Sequence, residues 1–252
     1  NMTQYNVSGD GINNDTIYYY RVRAYNDCGQ SLSSNRVATD LPIWIKDALE
    51  EKDYDSVSYD AETNMVTFKR DVTLKDTMQI PGEDSTIINL GGNTVTAPAG
   101  SPAISAGEKN TELTINGTSS DGKKGSIVGS TGSDGNGVAA IDFGNAGVNS
   151  TITVSGSEIR GGDGVGSTEG TTTGNAGNGG VGIIAGSGSN VKVESNATVT
   201  GGNGGSTSNG TGGNGGAGIS GGKVSVSQNG NVTGGNGGDS AKGTGGNGGT
   251  GV

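Results

Sequence analysis

The side chains able to do chemistry are few and far apart. In 252 residues there is no histidine and one cysteine, Cys28, so the commonest general base and metal ligand is missing. Glycoside hydrolysis needs two carboxylates at a fixed separation. Asp142, Glu158, Asp163, Glu169, Glu194 and Asp239 are scattered through the glycine-rich part of the chain without forming a pair. An elimination would want an arginine base beside acidic cation ligands, and Arg160 with Asp163 is the one neighbouring pair. Arg160 reads as a solvated corner residue. The sequence therefore predicts no catalytic residue, no cofactor, no metal site and a protein that is not an enzyme.

Other patterns are equally bland. The Gly-x-Gly strings lack the Gly-Lys-Ser/Thr and helix that a phosphate loop needs, and abundant glycine creates such matches by chance. Asn-x-Ser/Thr triplets begin at Asn6, Asn14, Asn116, Asn149, Asn196 and Asn209. They are expected from composition, and matter only where a source glycosylates them.

The net charge is −10, with no Lys/Arg cluster, which argues against a nucleic acid or anionic lipid partner. No apolar run approaches the ~20 residues of a membrane span, so no membrane insertion is expected of this fragment. With neither signal nor anchor sequence apparent, the chain reads as a piece of something longer. A lone cysteine forms no internal disulfide, which suits a reducing compartment or a cysteine-avoiding extracellular protein. Hydrophobic residues make up 29% and aromatics 4%, too lean for a thick core, while glycine numbers 53. Three glycines fall before residue 80 and 35 after residue 160. They recur in register with short β-branched runs, which argues against simple disorder.

The elements that must carry these residues read as all-β. Tyr18 to Tyr25 alternates with strong β propensity, after an Asn13-Asn14-Asp15 turn and a shorter strand around Tyr5, Val7 and Ile12. A loop of Asn26-Asp27-Cys28-Gly29-Gln30-Ser31 follows, then a strand over Ser34 to Thr39. Tyr18-x-Tyr20-Arg21-Val22-Arg23-Ala24, the Asn26/Gly29/Ser31 loop and the closing Ser34-Asn35-Arg36-Val37-Ala38-Thr39 closely resemble the last three strands of a fibronectin type III domain. The resemblance implies an extracellular spacer over residues 1–41, with the remaining strands supplied elsewhere.

Residues 42–72 read as a linker. Leu41-Pro42 closes the first module. Ile43, Trp44, Ile45, Ala48 and Leu49 form an apolar face at helical spacing, a short helix that would cap a solenoid. Trp44 reads as a plug in that lid rather than a sugar-stacking platform. Ser56–Tyr59 and Met65–Lys69 bracket a hairpin turn.

From residue 73 to 160, strands of three to five residues alternate with Gly, Asn, Ser and Asp. Leu74, Met78, Ile80, then Thr86-Ile87-Ile88-Asn89-Leu90-Gly91-Gly92-Asn93-Thr94-Val95 resemble the opening rungs of right-handed parallel β-helix proteins. Apolar pairs return at Ala103/Ile104, Leu113/Ile115, Ile127/Val128, Ala140/Ile141, Ile152/Val154 and at Ile159.

Over residues 161–252 an internal repeat becomes measurable. Gly201–Gly216 and Gly234–Gly249 each open and close on Gly-Gly-Asn-Gly-Gly: Gly201, Gly202, Asn203, Gly204, Gly205 with Gly212, Gly213, Asn214, Gly215, Gly216, and Gly234, Gly235, Asn236, Gly237, Gly238 with Gly245, Gly246, Asn247, Gly248, Gly249. Gly161–Gly180 is a longer version. Between them, Val181–Thr200 supplies Ile183, Val191, Val193 and Val199, and Ala217–Thr233 supplies Ile219, Val224, Val226 and Val232. Those spans are one solenoid turn each, with these residues as its slim core. The glycine clusters are expected to be arms leaving one corner of every turn, paired as extended polyglycine II-like legs and projecting roughly 25 Å. Gly161-Gly162-Asp163-Gly164 and Gly237-Gly238-Asp239 faintly resemble the calcium-binding repeats of β-roll toxins, but asparagine stands where that motif needs aspartate.

The fold expected is therefore an all-β chain: a partial fibronectin III-like sandwich, then a right-handed parallel β-solenoid with glycine-rich arms. The function expected is an extracellular structural or adhesive one, a cell-surface stalk or filament subunit of bacterial adhesin type. Its partners would be itself or other surface proteins. Two other readings stay open: a carbohydrate-binding module for glycans, and an ice- or crystal-surface binder on threonine ladders such as Thr151/Thr153 and Thr198/Thr200.

Overall fold

A computed structural model describes residues 41–82, 85–167 and 174–252, and the backbone of four two-residue strands before them. Among those four, Tyr19–Tyr20 pairs antiparallel with Val37–Ala38, and Tyr25–Asn26 with Gly29–Gln30. The turn expected at Asn13-Asn14-Asp15, the strand around Tyr5, and Cys28 lie outside the described residues.

In the rest, the regular structure is mostly short strands, and these run parallel in three sheets. Sheet I holds Met65–Phe68, Ser85–Asn89, Glu112–Asn116, Thr151–Ser155, Asn190–Glu194 and Lys223–Val226. Sheet II holds Val72–Thr73, Thr94–Thr96, Ser126–Val128, Glu158–Arg160, Thr198–Thr200 and Asn231–Thr233. Sheet III holds Met78–Ile80, Ile104–Ala106, Ile141–Asp142, Ile183–Ile184 and Ile219–Ser220. Each sheet takes every third strand, the connectivity of a parallel β-solenoid. Met65–Phe68, read from sequence as a hairpin before the coil, does both jobs: it pairs antiparallel with Val57–Asp60 and parallel with Ser85–Asn89.

Strand alternation explains the core. Every second side chain faces inward, so identical positions stack in columns: Val66, Ile88, Ile115, Val154, Val193 in sheet I; Val72, Val95, Ile127, Ile159, Val199 in sheet II; Met78, Ile104, Ile141, Ile183, Ile219 in sheet III. All are buried, each stabilising the coil by about 1.5–3 kcal/mol. The last turn differs from expectation. Val224 and Val232 are half-buried and Val226 is 48% exposed, because among the described residues no further turn lies over them.

Corners are sharp and satisfied internally. Between sheets I and II the backbone passes through the left-handed region at Gly156, Ser195 and Gln228 in successive turns. Between sheets III and I, buried hydroxyls stack: Ser150 Oγ accepts the Thr111 N–H at 3.0 Å and Ser189 Oγ accepts the Ser150 N–H at 3.0 Å. The Ser189 hydroxyl in turn donates to the Gly147 carbonyl. Each serine thereby pairs a backbone donor that a sheet ladder leaves over at the bend.

Helix Ile43–Ala48 packs Ile45, Ala48 and Leu49 against the core, all fully buried. Ile43 is 70% exposed and so leaves the expected apolar face, being the first residue of a helix too short to repeat its stripe. Trp44 is half-buried at the edge of the core and meets Tyr59 edge-on, ring centres 6.4 Å apart. The aliphatic side chains, not the indole, fill the centre.

Candidate interaction surface

The connections from sheet II to sheet III are where the chain lengthens. They cover residues 74–77 and 97–103 in the early turns, 129–140 in the next, then 161–182 and 201–218, and residues 234–251 follow the last strand of sheet II in the same way. In the later ones the backbone follows a three-residue rhythm, and each position of the triplet sends its N–H in a different direction.

The first position bonds along the leg to the next turn. Gly161 donates to the Thr200 carbonyl and Gly201 to Thr233, both at 3.0 Å, while Gly164 donates to Asn203 and Gly204 to Asn236, both at 2.8 Å. The second position bonds across the legs. Gly180 donates to Gly162, Gly202 to Gly180, Gly216 to Gly202, Gly235 to Gly216 and Gly249 to Gly235, at 2.7–2.8 Å. A parallel row runs from Gly177 to Val165, Gly205 to Gly177, Gly213 to Gly205, Gly238 to Gly213 and Gly246 to Gly238. The legs of one turn and the next are thus zipped without interruption.

The third position is asparagine, and its side chain completes the set. Asn203 N–H donates to Asp163 Oδ1 at 2.7 Å, and Asn236 N–H to Asn203 Oδ1 at 2.9 Å. On the returning legs Asn178, Asn214 and Asn247 donate to the Oδ1 of Asn136, Asn178 and Asn214, each at 2.8 Å. In Gly201-Gly202-Asn203 all three N–H groups are paired, the full accounting that buried backbone requires. Asp163 also holds Arg160 through both carboxylate oxygens at 2.5 and 2.7 Å, so this Arg/Asp pair is a strut of the ladder.

Only glycine permits such close legs. A Cβ on Gly202 would fall on the Gly162 carbonyl oxygen, on Gly213 that of Gly177, and on Gly235 that of Gly202. In the last described turn two positions are looser: a Cβ on Gly245 or Gly248 would meet nothing nearer than 3.6 Å and 3.8 Å. All twenty residues of the two Gly-Gly-Asn-Gly-Gly pairs belong to these legs. Sequence reasoning missed that the zipper starts earlier, with Gly162 donating to Val138 and Val165 to Gly135. Asn136, flanked by glycines, was the available signal.

The legs meet at short tips. Ser167, Thr207 and Ser240 stack there in parallel, as do Thr211 and Thr244. Thr207 is buried, its hydroxyl sharing a hydrogen bond with that of Ser167 and donating to the Asn209 carbonyl at 2.9 Å.

A second concavity lies on the outward face of sheet III. Gln79, Ser105 and Asp142 are in register on adjacent strands. They line a cavity of about 280 Å³, with Asp76, Thr77 and Asn145 among its other walls. Asp76, Thr77 and Gln79 also line a neighbouring cavity of about 410 Å³ bounded by Trp44 and Asp47. Asp76 and Asp142 each hold one carboxylate oxygen on a backbone N–H, those of Thr77 (2.7 Å) and Gly144 (2.8 Å), which fixes their orientation. Of the six scattered carboxylates, Glu169 lies outside the described residues. Among those described, no three His, Cys, Asp or Glu residues are grouped to hold a metal ion, and no helix is long and apolar enough to cross a membrane.

Comparison of the chain with protein-family models, with curated proteins and with solved structures finds no match.

Proposed function

We propose that this chain is a non-enzymatic, extracellular structural or adhesive protein, a cell-surface stalk or filament subunit. Its glycine-rich excursions act as polyglycine II-like arms that mediate assembly or attachment, and residues 1–41 act as a fibronectin III-like spacer. The observation that carries this reading is the uninterrupted zipper from Val138 to Gly249. A backbone so fully paired makes a stiff slab, and its outer surfaces carry asparagine amides in rows at the strand spacing of about 4.8 Å. Stiffness and a repeated polar surface suit a load-bearing contact better than turnover. Negative-stain imaging tests this. Elongated particles or end-to-end and side-to-side polymers are expected, and compact single particles at all concentrations would overturn it.

A second reading rests on the sheet III groove. The row Gln79, Ser105, Asp142 offers one polar side chain per turn at about 4.8 Å, close to the length of one pyranose unit, with Trp44 at its end. Such a row fits a linear glycan without carboxylates. One strong, saturable response on a glycan array, lost on Gln79→Ala with Asp142→Ala, would favour this function over the first.

A further inference from the structure

We infer that Asn209 is a site of spontaneous deamidation, and that hydrogen bonding keeps Asn116, Asn136, Asn178, Asn203, Asn214 and Asn229 chemically silent in the folded chain. Asparagine precedes glycine nine times, at Asn116, Asn136, Asn178, Asn203, Asn209, Asn214, Asn229, Asn236 and Asn247. In such a pair the glycine nitrogen attacks the asparagine Cγ. An N–Cγ bond forms, the Cγ–Nδ2 bond breaks, and ammonia leaves carrying the proton that the nitrogen gives up. Water then opens the cyclic imide at either carbonyl, leaving aspartate or isoaspartate, with no oxidant or reductant involved. Glycine favours the reaction because no Cβ obstructs the closing ring.

Cyclisation needs two freedoms: the glycine N–H must be able to lose its proton and approach Cγ, and the carboxamide must be free to turn. Six pairs lack the first. The N–H of Gly117 is held by the Ser155 carbonyl at 3.0 Å, Gly137 by Asn178 at 2.7 Å, Gly179 by Asn214 at 2.7 Å, Gly204 by Asn236 at 2.8 Å, Gly215 by Asn247 at 2.8 Å and Gly230 by Ser227 at 2.8 Å. Four of the six lack the second as well, since Oδ1 of Asn136, Asn178, Asn203 and Asn214 each accepts a backbone N–H of the next turn. Among the Asn-Gly pairs with a further turn stacked beyond them, Asn209 has both freedoms. Asn209 is exposed. Among the described residues, its Oδ1 accepts nothing and the Gly210 N–H has no partner.

The chain carries its own comparison. Asp163-Gly164 occupies a ladder position, with Oδ1 on the Asn203 N–H and Gly164 N–H on the Asn203 carbonyl at 2.8 Å. The aspartate product therefore fits the ladder, whereas isoaspartate adds a backbone atom and breaks the triplet rhythm. At Asn209 there is no ladder to break, and the product there is a new negative charge at an arm tip.

The test is peptide mapping by mass spectrometry during incubation of the folded 252-residue chain at mildly alkaline pH, with circular dichroism following the fold. Asn209 should convert first. The six hydrogen-bonded sites should convert about tenfold or more slowly, because each must await local opening, and concentrated urea should erase the difference. Conversion of Asn178, Asn203 or Asn214 as fast as Asn209 in the folded chain would overturn the inference. So would a ranking of these seven sites that urea leaves unchanged.

Discussion

Asp163 and Asn203 are 40 residues apart and share one hydrogen bond, the Asn203 N–H on Asp163 Oδ1 at 2.7 Å. The contact shows how a sequence poor in apolar side chains orders its glycine-rich third. The side chain of one turn supplies the acceptor that the backbone of the next turn lacks, and repetition extends it through Asn236.

Gly215 and Gly248 occupy the same place in successive turns, but a Cβ on Gly215 would fall on the Gly235 carbonyl oxygen while Gly248 faces open space. Gly215→Ala should destabilise by about 1–3 kcal/mol or more, as overpacking does, and Gly248→Ala should change little. Urea denaturation of the two variants checks this, and equal midpoints would contradict the packing described.

Ser150→Ala should cost about 1–3 kcal/mol, because it leaves the buried Thr111 N–H without its acceptor. Amide exchange at Thr111 should quicken in that variant while the sheet I centre stays protected.

Ser157 is the converse case. Its hydroxyl is buried with no partner, and the residue stacked on it in the next turn is Ala197, adjacent to the paired Glu158 and Thr198. Ser157→Ala should stabilise by about 1 kcal/mol by removing an unsatisfied polar group. A lowered thermal midpoint would show that the hydroxyl has a role that the contacts do not reveal.

The Asn136 side-chain amide and backbone N–H both donate to Asp134 and hold its carboxyl below the ordinary carboxylate range. A depressed folded-state pKa means the contribution is present above the unfolded value and is lost as pH falls through the folded one. Thr131 and Gly137 form an antiparallel bridge around Asp134, and it should loosen only in acid, with no change near neutrality. Titration of the Asp134 carboxyl carbon by NMR reads this directly, and a midpoint at or above the ordinary value would refute it.

What could be read in advance follows from period. Val191-x-Val193 and its counterpart Val224-x-Val226 announce strand alternation, and Gly-Gly-Asn announces a rhythm of three. The sequence left other features invisible. Ser150 and Ser189 sit among dozens of polar residues, and only the stacking of turns distinguishes a buried hydroxyl from an exposed one. Gln79, Ser105 and Asp142 form one row in space, yet they fall at unequal intervals because the excursions between them differ in length. Val165 belongs to the zipper through its backbone alone, and its side chain, 53% exposed, gives no hint of it. Ile43 has the right residue type for a buried face and lies at the one end of the helix where that face is not covered.

The tips of the sheet II to sheet III excursions have a consequence for how such a chain can change. The ladder partners Asp163 and Asn203 are 40 residues apart, those of the returning leg, Asn178 and Asn214, are 36 apart, and the next pairs on both legs are 33 apart. Ser167 and Asn175 are eight positions apart and their partners Thr207 and Thr211 four apart, while the bonds on either side keep their register. The tip thus works as a socket: foreign residues can be spliced in at Ser208–Gly210 and carried at the end of a rigid mount. Diversification there is uncoupled from folding, so a lineage or an engineer could vary what the arm presents without rebuilding the coil beneath it.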